Sequence, residues 1–196
     1  MRKSRISYFK KLGLKCAAAS LIGVALVPVL SMAQSVPSVP VQAIAKEVRL
    51  AGQGQMRFLR MRIYDARLWV GPGFEAHAFE AHPLALELTY HRAFRGEAIA
   101  QRSVQEIQRQ RTLSSEETQR WTDALAKWLP DVQAGDTLTG IYLPGKGMRL
   151  WLGSQDLGVQ PDPELARYFF GIWLSEQTSE PGLRQALLAS AGKDAR

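Results

Sequence analysis

Cysteine is almost absent: Cys16 is the single one in 196 residues. That excludes an intramolecular disulfide framework and a zinc site built on thiolates. Histidine is scarce as well. His77, His82 and His91 are not set in an HExxH arrangement, so no metal site is expected, and no cofactor either. Phosphate-cradling glycine loops are missing: Gly52-Gln53-Gly54 lacks a third glycine and a following helix, and reads as a turn or a close-approach site. No Gly-x-Ser-x-Gly elbow is present. Extremes of composition are lacking too. With 46% hydrophobic and 22% charged residues, the chain falls in the globular class and not the disordered one.

Acid is missing from the first 15 residues, which hold Arg2, Lys3, Arg5, Lys10, Lys11 and Lys15. An uncharged apolar run from Cys16 to Ala33 follows, ending in the small-residue exit Ser31-Met32-Ala33. This order reads as a secretory signal peptide over 1–33, cleaved after Ala33. An uncleaved anchor is the rival reading, but the run is short for a span, and Pro28 with the small exit favours cleavage. Lys15 makes Cys16 a poor lipidation site. Six of the 25 basic residues leave with the leader, so 34–196 balances 19 basic against 18 acidic. The formal charge of +7 therefore implies no nucleic-acid partner. A periplasmic or secreted protein with no stable membrane span after cleavage is expected, and its thiol-free remainder suits an oxidising compartment.

The remainder reads as a linker over 34–43, one domain over 44–191 and a tail over 192–196. Two X-Pro steps disfavour helix in the linker. Met56–Val70 reads as one long strand whose apolar phase shifts, with a bulge or bend near Tyr64–Ala66. A second strand covers Leu84–His91. A weakly amphipathic helix runs over Glu97–Arg111. Ser114 and Glu117 form a capping box ahead of a helix whose apolar stripe is Trp121, Leu125, Trp128 and Leu129. Asp136–Leu143 and Met148–Leu152 form a hairpin, with a further short strand over Gln155–Gly158. Asp162-Pro163 opens a helix with Leu165, Phe169, Ile172 and Trp173 on one face and Phe170 beside it, and a last helix runs from Pro181 to Gly192. The order gives an α+β domain built on an antiparallel sheet.

Arginine crowds the first strand. Arg60, Arg62 and Tyr64 share a face about 7 Å apart and could hold a carboxylate, although a solvated face is the plainer reading. His91 reads as a surface histidine with no evident carboxylate partner. Ser103 and Glu106, three positions apart on the weak helix, could face a cleft, although a solvated helix face is the plainer reading.

Ordered motifs then carry a resemblance: Gly52-Gln-Gly-Gln-Met-Arg57, Ile63-Tyr64-Asp-Ala-Arg-Leu68-Trp69, Leu86-Glu-Leu-Thr-Tyr90, Gly135-Asp136 with Ile141-Tyr142-Leu-Pro-Gly145, and Phe169-Phe170-Gly-Ile-Trp-Leu174 with Pro181-x-Leu-Arg184. Over about residues 45–190 the chain resembles bacterial exported chalcone isomerase-like proteins. The resemblance implies an open-faced β-sandwich with a large antiparallel sheet and helices layered on one side. It implies either a chalcone-closing enzyme or a non-catalytic fatty-acid binder. Both uses rest on an arginine in the first Gly-x-Gly-x-Arg segment, followed by a threonine in the enzymes and a tyrosine in the binders. Tyr64 stands at that second position. Spacing from Tyr64 puts Met56 at the arginine position, with Arg57 one residue later and so on the opposite side of a regular strand. Either a bulge returns Arg57 to the interior or the clamp is absent.

The leading expectation is a non-catalytic domain that holds a small amphipathic acid such as a fatty acid, with Arg57, Tyr64, Tyr90 and Tyr142 as ligand-binding residues. The alternatives are an isomerase or intramolecular lyase acting on an enone or phenolic substrate through Tyr64 or Tyr142, and a pocketless interaction module. No protein partner is read from the residues.

Overall fold

The computed structural model describes residues 38–42 and 44–191. The expected leader (1–33) and the tail (192–196) lie outside the described residues. Six strands form one antiparallel sheet in sequence order: β1 Arg49–Phe58, β2 Met61–Val70, β3 Leu84–Tyr90, β4 Thr137–Leu143, β5 Gly147–Leu152 and β6 Gln155–Gln160. The helices are α1 Val39–Gln42, α2 Gly96–Ile107, α3 Ser115–Trp128, α4 Pro163–Leu174 and α5 Pro181–Leu187. A 3-10 segment, Ala76–Ala81, joins β2 to β3. This is the expected α+β architecture, an open antiparallel sheet layered with helices.

Period-two alternation sorts the side chains. Leu84, Leu86, Leu88 and Tyr90 of β3 face the helices, together with Leu138 and Tyr142 of β4 and Met148 and Leu150 of β5, and all are buried in one core with Trp121, Leu125, Phe169 and Phe170. Each such leucine contributes on the order of 1.5–3 kcal/mol. The opposite face is also covered, in part. Val41 of α1 packs there with Trp69, Ala85 and Ile141. Glu87 is buried on that side, where its carboxylate accepts a hydrogen bond from Trp69 Nε1 at 2.6 Å.

Two expectations need correction. The linker was expected to be non-helical, yet Val39–Gln42 is one helical turn. Pro40 lies in a first turn, where a missing N–H is not needed, and the buried Val41 anchors the turn against β4. The single long strand is instead a β1–β2 hairpin. Its tip is Leu59-Arg60, with φ of 48° and 68°. The Asn and Gly that normally mark such a two-residue turn are absent, so periodicity ran straight through it.

The capping box and the Asp162 cap are present as read. Ser114 Oγ accepts from Glu117 N while the Glu117 side chain accepts from Ser114 N, and Asp162 accepts from Leu165 N. Gly52 and Gly54 are close-approach residues. A Cβ at Gly52 would sit 2.1 Å from Ala186 O, so α5 can lie directly on β1 only because these positions are bare. Arg49 fixes the end of that helix by donating to Ser190 O and Ala191 O, both at 2.9 Å.

Candidate functional site

Helices and sheet flank a partly open cavity of about 430 Å³, within the usual range for small-molecule sites, ~300–1,000 Å³. Its floor is Leu86, Leu88, Leu138 and Leu150. Gly140 interrupts that leucine floor, leaving room for the Phe170 ring, whose edge would lie 3.2 Å from a Cβ there. Phe169, Phe170 and Trp173 of α4 form one wall, and Ile99, Arg102, Ser103 and Glu106 of α2 form another. Small residues on α2, Ala98 and Ser103 among them, keep that helix from filling the space. The pocketless alternative does not fit this interior.

The polar groups gather at one end. Tyr64 of β2 stands opposite Tyr90 of β3, with ring centroids 5.8 Å apart at 71°. Trp173 Nε1 donates to the Tyr64 hydroxyl at 3.0 Å. The Tyr64 proton then has no acceptor among the described residues, and the Tyr90 hydroxyl has no partner among them either. Burial pushes the Tyr64 phenol up to about 12; the Trp173 hydrogen bond and Arg102 oppose the rise, and Glu180 and Glu106 add to it. Burial, with Tyr64 alongside, raises Tyr90 as well. Both rings therefore present neutral O–H donors to an apolar space.

The expectation for Ser103 and Glu106 is corrected. Both are buried and both line the cavity. Arg102 Nη2 lies 2.5 Å from Glu106 Oε1, and Arg109 Nε lies 3.8 Å from Oε2. These two guanidiniums reach back from solvent and allow α2 to turn a carboxylate inward. Glu180 and Leu183 close the cavity from the α5 side.

Arg57 is placed elsewhere. A bulge lies where the sequence reading needed one, because Met56 pairs with Tyr64 but Arg57 pairs with Arg62. The extra residue is Ile63, on β2. The bulge thus turns Ile63 and Tyr64 inward together with Met56, and leaves Arg57 exposed, its Nε donating to Gln55 Oε1 at 2.7 Å. Arg60 sits in the turn and Arg62 at the surface, so the row of two arginines and Tyr64 does not form. Tyr142 is buried, but its hydroxyl donates to Glu80 O at 3.1 Å in the 3-10 segment, and it does not line the cavity. Of the four expected residues, the structure brings together Tyr64 and Tyr90. His91 does have a carboxylate partner: its Nε2 is 2.8 Å from Asp65 Oδ2. Sequence reasoning missed Trp173 as a polar group and Arg102 as the cation at the mouth. The spacing of Arg102 and Glu106, i and i+4, was the available signal.

Among solved structures, the chain is similar to a fatty-acid binding protein of Arabidopsis thaliana, with a TM-score of 0.57 at 14% identity, covering 77% of this chain and 92% of that one. At that identity the likeness concerns the fold. No curated protein matches the sequence. The family model described as chalcone isomerase-like matches residues 34–189, which is most of the chain. The protein belongs to the chalcone isomerase-like family.

Proposed function

We propose that this protein is a non-catalytic, exported carrier of a small amphipathic acid, a fatty acid being the favoured class. The acyl chain lies on the leucine floor, and the head meets Tyr64, Tyr90 and Arg102. One observation carries the reading: a largely apolar, partly open cavity has two neutral phenol protons at one end with no protein acceptor among the described residues. Donors that face an apolar cavity and find no protein acceptor are free to pair with a ligand oxygen. A phenol held protonated to about 12 and fixed by Trp173 donates to a ligand oxygen but does not take a proton from one at neutral pH. That supports holding over turnover. The fatty-acid binding function named for the structurally similar Arabidopsis protein agrees with this ligand class.

Competitive displacement of a fluorescent fatty-acid analogue from the purified protein tests the reading. Saturable displacement by unlabelled fatty acids is expected, and its loss in Ile99→Trp, which fills the α2 wall while circular dichroism stays native. Lipid-free organic extracts together with no displacement at any chain length would refute it.

A further inference from the structure

Among the described residues, four large apolar side chains are exposed, and three of them sit together at the tip of the β1–β2 hairpin: Phe58 at 56%, Leu59 at 77% and Met61 at 42%. The residues between and beside them are Arg57, Arg60 and Arg62, all exposed, with no acid between Arg49 and Tyr64. Arg92 joins the cluster across the strand end, its Nη1 meeting Met61 Sδ at 2.8 Å. Arg62, Arg92 and His91 rim a shallow open depression at the base of the tip. The nearest acid, Asp65, is already engaged by Gln55 and His91.

The turn itself is held in an unfavourable conformation. Leu59 and Arg60 both adopt left-handed φ, where Asn-Gly would sit without strain. Strain kept at an exposed apolar residue needs a reason outside the fold, because Leu59 packs against almost nothing. Charge narrows the partner. A second copy would set arginine against arginine. The chain's own first 37 residues offer six basic groups and no acid, so they do not complement the tip.

The geometry points to the β1–β2 tip as a docking element for an anionic lipid surface. Leu59 and Phe58 enter the interfacial layer, while Arg57, Arg60, Arg62 and Arg92 pair with lipid phosphates, as amphipathic basic segments do. Phe58 also lines the cavity, so docking would bring the cavity mouth to the bilayer. The docking surface itself stands whether or not the cavity holds a ligand.

The test uses the full chain with Cys16→Ser, carrying a polarity-sensitive fluorophore on Leu59→Cys, and a matched protein labelled on Lys146→Cys. Lys146 lies in the β4–β5 turn, at the other end of the sheet. Vesicles of phosphatidylcholine alone and of phosphatidylcholine with phosphatidylglycerol serve as probes. The expected result is a blue shift at position 59 on anionic vesicles, little on neutral ones and none at position 146. Each arginine-to-glutamine change at 57, 60 or 62 should weaken partitioning about fivefold, and raised salt should weaken it further. An unchanged spectrum at 59 on anionic vesicles overturns the proposal. So do equal responses at 59 and 146, an equal response on neutral vesicles, or partitioning indifferent to the arginines. Because a tether elsewhere in the chain cannot shift the probe at 59 alone, retention of the protein on vesicles without that shift also counts against it.

Discussion

The Tyr64 hydroxyl accepts one hydrogen bond, from Trp173, and has one still to give. Tyr64→Phe removes both. Ligand affinity is expected to fall about fivefold, the size of one neutral hydrogen bond. Trp173 Nε1 is left without its acceptor, so urea unfolding should show a loss of about 1–3 kcal/mol. The pH dependence has a fixed sign. A phenol whose folded pKa is raised from 10.0 to about 12 favours folding fully below pH 10. That contribution is lost as pH rises through 10 toward 12. Tyr64→Phe should therefore flatten the alkaline limb of the stability curve, leaving the slope that the raised Tyr90 still contributes. An unchanged alkaline limb would show that the Tyr64 ring is not held as described. Tyr64 was legible through the family resemblance and not through strand phase, since alternation alone set it on the face of Arg60 and Arg62. Arg57 was not, because the direction of a side chain beside a bulge depends on which strand carries the extra residue. Here that residue is Ile63, on β2.

Elements were legible where local chemistry alone decides them. α3 begins where Ser114 and Glu117 say it should. Ser114→Ala should cost about 1 kcal/mol in thermal unfolding. Hydrogen bonding from the Ser114 backbone, then from Arg111, holds the Glu117 carboxyl down to about 2. Its contribution is thus present above pH 4.5 and is lost as pH falls toward 2; a Glu117→Gln variant, which removes the titrating group, should show a shallower acid limb. The β1–β2 turn is the opposite case. Its residues carry no turn signature, so only the pairing of β1 with β2 reveals it. Replacing Leu59 by Asn and Arg60 by Gly should raise stability by about 1–2 kcal/mol, since both residues then suit left-handed φ. Scanning calorimetry checks this; a melting temperature that does not rise would mean the turn is unstrained. The helix α2 falls between these cases. Its weak periodicity suggested a solvated face, but α3 and α4 pack against it, so Ser103 and Glu106 are turned inward by packing that no local pattern records.

At the scale of the whole molecule, the decisive feature is a volume, and volume is not written in any one segment. Gly140 on β4, Ser103 on α2 and Trp173 on α4 are far apart in sequence and meet only in the tertiary fold. The charges around that volume lead to a prediction about the ligand. Two carboxylates, Glu106 and Glu180, and one guanidinium, Arg102, line the cavity, and Glu106 already engages Arg102. A bound carboxylic acid there experiences burial and the nearby Glu180 carboxylate, and both favour its protonated form. Its pKa in the complex should exceed that of the free acid. Affinity is then full below the free value and declines as pH rises through the bound one. Competition titrations across that range should show fatty acid weakening as pH rises, with a long-chain alcohol of equal length showing no such slope. Arg102→Gln removes the cation that lines the cavity, leaving Arg109 behind Glu106, and should steepen the fatty-acid slope while leaving the alcohol unaffected. Tighter fatty-acid binding at higher pH would place the head group away from Glu106 and Glu180, at a different end of the cavity.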